Sequence, residues 1–302
     1  MKLISLFTKA EYTVGYRICG KDIIDDTDTP FKVLPHNDKQ WYADPFVFFH
    51  EGEWYVFMEV MQNDKGYAGI GYSKLVDGEL TSPRIVIDTG KHYSFPFIFE
   101  YEGEIFIMPE SSAEENIKLF RCIDFPEKWE EYYAVNDERG LCDTVAFEEK
   151  NRRFLFTSEG TDDLYGCRLY LMEIESGTLK PSIISEKVVT SDYRHSRQAG
   201  KMIRKDGKLI RVAQDCSRNE YGRALEFMEI DDIDNFSEHL IKHIEPKDIK
   251  TEADISGKSG IHTYNRENNV DVVDFKLLCF YPKAVFIKLK MVFDIIKSKI
   301  SG

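Results

Sequence analysis

Asp44, Glu59, Glu110, Asp143, Glu159 and Asp215 fall at the ends of a repeating strand pattern rather than being scattered through the chain. Carboxylates gathered in one place suit reactions at an anomeric carbon. One moves a proton to or from an oxygen while another attacks or stabilises developing positive charge. Crowding also shifts their pKa values, so that one can stay protonated near neutral pH. Asp44, Glu110 and Asp143 are the candidate catalytic acids, with Glu59, Asp215 and the neighbouring Gln214 as candidate substrate contacts. The competing role is to cap strand ends or bind backbone amides, expected for roughly half of the acids, Glu59 and Glu159 first. Arg197, within DYRHSRQAGK, is a cation placed among these acids. It either neutralises them or grips an anionic group such as phosphate through two parallel hydrogen bonds. His92 and His262 stand at corresponding edges; they do not make a metal site, and none is expected. Trp41 beside Asp44 could stack on a sugar face.

The elements that would hold these residues are β-hairpins. WYADPFVFFHEGEWYVFMEV, Trp41 to Val60, reads as two aromatic and β-branched strands around the turn His50–Glu53. Hairpin strands are antiparallel, so Asp44 at the start and Glu59 at the end emerge at one edge. Pro45 biases Asp44 towards an extended backbone. The pattern recurs 51 residues on in SFPFIFEYEGEIFIMPES and another 48 on in CDTVAFEEKNRRFLFTSEG. RQAGKMIRKDGKLIRVAQD is a fourth copy and HTYNRENNVDVVDF, exiting at Asp274, a weaker fifth. Strand-rich repeats of roughly 40–50 residues mark a β-propeller, one blade per repeat. The expected fold is all-β, a five-bladed propeller over residues 1–275, with EYTVGYRI near the amino terminus as a strand closing the ring.

Composition agrees. The chain has 302 residues, 42% hydrophobic and 13% aromatic, enough for a full core. Its charge of −13 argues against nucleic acid as a partner. The six cysteines include no CxxC pair, and no secretory signal is visible, so a reducing cytoplasm is the expected setting. Gly-rich phosphate loops, GxSxG and HExxH motifs are missing. Residues 276–302 differ in character. KLLCFYPKAVFIKLKMVFDIIKSKI carries six Lys and one Asp, a net +5 that leaves −18 on the rest. That many charges interrupt a membrane span, whereas a basic amphipathic helix lying on an anionic membrane surface fits.

The motifs WYADPFVF, YSFPFIFE, IMPES, SRQAG, AQDCSRNEYG and GIHTYN resemble, in this order, the amino-terminal domain of the plant glucosamine inositolphosphorylceramide transferases. That domain also occurs in bacterial proteins linked to surface-glycan synthesis. A more distant resemblance is to the five-bladed propellers of the glycoside hydrolase family 43 type. The latter implies that Asp44 matches a general-base aspartate and Asp143 an aspartate that orients substrate and tunes the acid. The glutamate acid expected at the entrance of blade four is replaced by Arg197, which leaves Glu110 as the second carboxylate. A cation there suits a leaving group needing charge stabilisation rather than protonation. The implied activity is transfer of a sugar from a phosphate- or nucleotide-activated donor to a glycan or lipid-linked acceptor in surface-polysaccharide synthesis, at the inner face of the membrane. The activated donor is a substrate, and no cofactor is expected. Family 43-type hydrolysis of furanosides or pentosides, or sugar binding without catalysis, are the alternatives.

Overall fold

The computed structural model describes residues 8–281 apart from 112, 113, 115, 137, 162, 164, 179, 181 and 256. Five antiparallel sheets follow one another along the chain, so the expected five-bladed propeller is what forms. Blade one runs through Gln40–His50, Glu53–Gln62 and Tyr67–Val76. Blade two is Ser94–Tyr101, Glu104–Glu110, Asn116–Asp124 and Lys128–Asn136. Blade three is Leu141–Glu149, Arg152–Gly160, Cys167–Ile174 and Ile183–Thr190. Blade four opens with the short Arg197–Gln198 and continues through Lys208–Asp215, Ala224–Asp232 and Ser237–Ile244.

The inner hairpins close through turns that a right-twisted ladder requires. Glu51–Gly52, Glu102–Gly103, Lys150–Asn151 and Asp206–Gly207 all have positive φ at both central positions. That backbone matches the strand twist and favours Gly and Asn. Along each strand the apolar residues alternate into the faces between blades. Phe46, Phe57, Phe95, Phe106 and Phe156 are fully buried there.

Blade five closes the ring with strands from both ends of the described chain. Thr8–Ile18 pairs with Val270–Phe280 over its whole length. The junction is locked by Arg17 and Asp271, an ion pair at 2.8 Å with side chains 2% and 0% exposed. Arg17 also donates to the carbonyls of Thr29 and Asp26, so its charge is satisfied on every side.

The amino-terminal closing strand is therefore as anticipated, but the carboxyl-terminal boundary is not. Lys276 to Phe280 continue the long last strand rather than starting a helix. Their extended form follows from pairing with Thr8–Tyr12, which supplies ladder hydrogen bonds that local helical spacing cannot match. The rest of the anticipated amphipathic helix lies outside the described residues. Among those residues, no helix is long and apolar enough to cross a membrane.

Candidate active site at the channel mouth

Each of the first three blades breaks its inner ladder at the same place. The register shifts between Ala43 and Phe46, between Ser94 and Phe97, and between Cys142 and Val145. Within these bulges Asp44, Phe95 and Asp143 have φ of 49°, 45° and 51°. A bulge re-aims one side chain, and Asp tolerates the left-handed region better than most residues. This corrects the extended backbone expected of Asp44: Pro45 restrains its neighbour only statistically, and the bulge overrides it. Phe95 takes the strained conformation without the chemistry. Its ring packs edge-on against Phe46 at 4.8 Å, and its amide donates to Asp44 Oδ2 at 3.2 Å.

Asp44 is 6% exposed. Its Oδ1 accepts from Thr263 Oγ1 at 2.7 Å and lies 3.6 Å from His262 Nε2. Asp274, the exit acid of the fifth repeat, holds this corner together. Its carboxylate accepts from the amides of Asp44, His262 and Thr263 at 3.0–3.1 Å. The same group lies 2.6 Å from His262 Nδ1, although that ring N–H is not aimed for a hydrogen bond. Blade five is thereby stitched to blade one through this corner of the mouth.

Glu59 is buried beside Asp44, with His92 Nε2 3.6 Å away and half exposed at the rim. On the far side Ser94 Oγ donates to Glu110 at 3.0 Å. Arg197 Nε donates to Asp143, and its Nη2 lies 3.9 Å from Glu110. The guanidinium rests 5.0 Å from the centre of the Tyr221 ring. Tyr221 meets His262 edge-on at 5.3 Å, and His262 stacks on Tyr12 at 4.7 Å, which contacts Trp41 at 5.4 Å. The mouth thus has carboxylates on blades one to three and an aromatic wall opposite, with the Arg197 guanidinium between them.

The structure brings Asp44, Glu59, Glu110, Asp143, Arg197, His92 and His262 together, with Trp41 on the wall. Gln214 and Asp215 are turned to other tasks. Gln214 donates to the carbonyl of Gln198, and Asp215 is paired with Arg223 and accepts from the amide of Ser217. Both are fully buried, so their polar atoms are spent inside blade four. Tyr42 is a core residue, and Glu159 faces outward onto Tyr170 and Arg168. Ser158, not Glu159, pairs across from Cys142 as Glu59 does from Ala43, because the two hairpins share one register and Glu159 lies one position further along its strand. Thr263, Tyr221 and Tyr12 had no repeat signal to mark them. Asp274 did, as the fifth exit acid.

Burial raises the pKa of Asp44, while His262 acts against the shift. Burial, followed by the charge of Asp44, raises Glu59 well above the carboxylate range. Asp143 is pushed up to about 7 by burial, against the opposing pull of Arg197. Burial works against the imidazolium of His262, but Asp274 and Asp44 outweigh it and raise its pKa. In each of these groups the folded state keeps protons that the unfolded chain releases. Stability from each is complete below its own unfolded pKa, in the carboxylate range for the acids and about 6.5 for His262, and is lost as pH climbs through the raised value. One such carboxyl changes stability by up to about 1.4 kcal/mol per pH unit within that window. We expect Tm to fall between pH 5 and pH 8, and Glu59→Gln to flatten the fall and raise Tm at pH 8. Calorimetry across that range is the check; a wild-type slope left unchanged by Glu59→Gln would remove the buried-acid account.

The ligand atoms of Asp44, His262 and Asp274 lie within 4.8 Å of one another, a set that could share a cation. A second such set, Asp215, Glu226 and His243, already holds the Arg223 guanidinium on Asp215.

Residues 34–275 match the family model described as glucosamine inositolphosphorylceramide transferase 1, N-terminal. The Arabidopsis thaliana protein named glucosamine inositolphosphorylceramide transferase 1 is 30% identical over 208 residues, 66% of this chain and 26% of that protein. The chain thus spans about a quarter of the length of the curated relatives it matches, 26% in each case. Among solved structures, the catalytic domain of a Coprinopsis cinerea GH62 alpha-L-arabinofuranosidase superposes with a TM-score of 0.61 at 12% identity, over 89% of this chain and 97% of that one. A family 117 glycoside hydrolase from Zobellia galactanivorans gives 0.54 at 12% identity, over 90% of each chain. At such identities these likenesses speak for the propeller alone. The match over the propeller, with the motifs that build its mouth, places this chain in the glucosamine inositolphosphorylceramide transferase 1 N-terminal family.

Proposed function

We propose that the channel mouth binds a phosphate- or nucleotide-activated sugar and transfers the sugar to a hydroxyl of a glycan or lipid-linked acceptor. The observation that carries this reading is Arg197, seated between Asp143 and Glu110 at the entrance of blade four. In this reading the guanidinium holds the donor's phosphate and the aromatic wall of Tyr221 and Tyr12 packs against the sugar. Asp44 takes the acceptor's proton as the new bond from that oxygen to the anomeric carbon forms. The bond from the anomeric carbon to the phosphate oxygen breaks, and its electron pair leaves on the phosphate beside Arg197. Glu59, held protonated, would keep the pocket from gathering excess negative charge against an anionic donor. Surface-polysaccharide assembly is the setting we propose for it.

Hydrolysis is the second reading, and one observation favours it. Asp143, titrating near pH 7, has the pKa of a group able to protonate a leaving oxygen. A thermal-shift screen separates the two. Transfer predicts stabilisation by sugar nucleotides or sugar phosphates, abolished in Arg197→Ala. Stabilisation by neutral oligosaccharides alone, with hydrolysis surviving Arg197→Ala, would put the hydrolase first.

A further inference from the structure

Between blades two and three lies an apolar cavity of about 350 Å³ that the sugar chemistry does not use. Phe99, Met108 and Leu119 of blade two face Leu141, Leu155 and Met172 of blade three across it. Protein interiors pack as densely as organic crystals and leave few voids larger than one water. An apolar cavity of roughly 150 Å³ takes up one benzene, so this one has room for an alkyl chain of about a dozen carbons.

Its opening is defined by exposure. Lys180, Ser182 and Ile183 are the exposed lining residues, and they sit together where the chain enters the outermost strand of blade three. Ile183 pairs with Ile174, at the end of that blade remote from Cys167 and the carboxylates.

The rim carries two cations. Lys180 Nζ lies 5.1 and 5.5 Å from the Tyr132 and Tyr133 ring centres. Arg153 lies over Tyr101 at 4.3 Å and donates to the carbonyl of Thr178. Among the described residues neither has a carboxylate partner and no acid lines the cavity, in a chain whose net charge is −13. A deep apolar slot with an aromatic and cationic rim is complementary to a long alkyl chain ending in an anion.

We propose that this interblade cavity binds a single-chain fatty acid, its chain among Phe99, Leu119 and Leu155 and its carboxylate at Arg153 and Lys180. The planar guanidinium pairs well with a carboxylate, and one slot of this volume has room for one chain. This site stands apart from the sugar reading and does not depend on it.

The test is isothermal titration of the full chain with laurate, dodecyl phosphate and uncharged dodecanol, each below its aggregation threshold, with native mass spectrometry for stoichiometry. One laurate per chain is expected, bound at least tenfold more tightly than dodecanol and not more weakly than dodecyl phosphate. Leu155→Trp, which fills the slot, should abolish binding. Lys180→Glu, at an exposed position that cannot disturb the core, should weaken laurate at least tenfold and leave dodecanol unchanged. No saturable laurate binding, or laurate affinity unaffected by Lys180→Glu, overturns the site. Dodecyl phosphate binding tenfold more tightly than laurate would overturn the carboxylate assignment.

Discussion

Asp44→Asn is expected to lower sugar transfer by a factor of roughly 10²–10⁴ while the propeller stays folded, the usual effect of removing a positioned base. The substitution is chosen because Asp44 has two duties. Its carboxylate is the candidate base, and its side chain also holds Thr263 and the Phe95 amide. Asn can keep both contacts: its carbonyl accepts from Phe95, while its amide donates to a Thr263 hydroxyl that turns around to accept. Asn also tolerates the positive φ of 49° at this position. A negative charge beside Glu59 and Asp274 is removed as well, so Tm at neutral pH should hold or rise. Asp44→Ala would confound the result by leaving both contacts unmade. The decisive measurement is single-turnover transfer from a sugar-nucleotide donor together with circular dichroism. A folded Asp44→Asn protein retaining more than a tenth of the wild-type rate would show that another group takes the proton.

Arg197→Ala should act on affinity and on stability at once. A charge-assisted contact to a buried anionic group accounts for about 2–5 kcal/mol, so donor affinity should fall by at least about 30-fold. Neutral sugars, which do not use the guanidinium, should bind nearly as before. The same change leaves Asp143 buried without its cation. Breaking such a pair costs about 3–5 kcal/mol when the remaining charge cannot escape. Asp143 can escape by protonation: with the pull of Arg197 gone, its pKa moves further above about 7. The loss of Tm should therefore be small at pH 5 and large at pH 8. Calorimetry at both values and titration with a sugar nucleotide and a free sugar test the two halves separately. Donor affinity unchanged in Arg197→Ala would end the phosphate-binding role. An equal Tm loss at both pH values would mean that Asp143 does not carry the uncompensated charge. Arg197→Lys, which keeps the charge but not the fork, should fall between the two.

The acids at the repeat ends were legible because a strand places a residue by counting. Period-two alternation and antiparallel pairing carry Asp44, Glu110 and Asp143 to one end of the ring once the hairpins are recognised. The turns were equally readable, since Gly52, Gly103 and Gly207 mark backbone that few other residues adopt. Arg197 was found for the same reason, by its place at the entrance of a repeat. Glu159 shows where the count has to be kept. The third hairpin has the register of the first, but Glu159 stands one position beyond the place of Glu59, so Ser158 takes that place and alternation turns Glu159 outward.

What the chain left undecided was everything set by contacts between distant segments. Asp274 holds Asp44 from 230 positions away, and Thr263 reaches it from 219. No local pattern ties these residues to one corner; only closing the ring does. The extended form of Lys276–Phe280 has the same cause. Helical spacing of apolar residues is a local preference of a few tenths of a kcal/mol per residue, whereas pairing with Thr8–Tyr12 gives that segment a continuous ladder. Composition and repeat spacing therefore determined that this chain is a propeller and at which end its acids stand. The tertiary structure decided which acids share one pocket, which are consumed by Arg223 or Tyr170, and how burial sets their protonation. Dielectric and charge proximity are properties of the assembled ring and of no single strand.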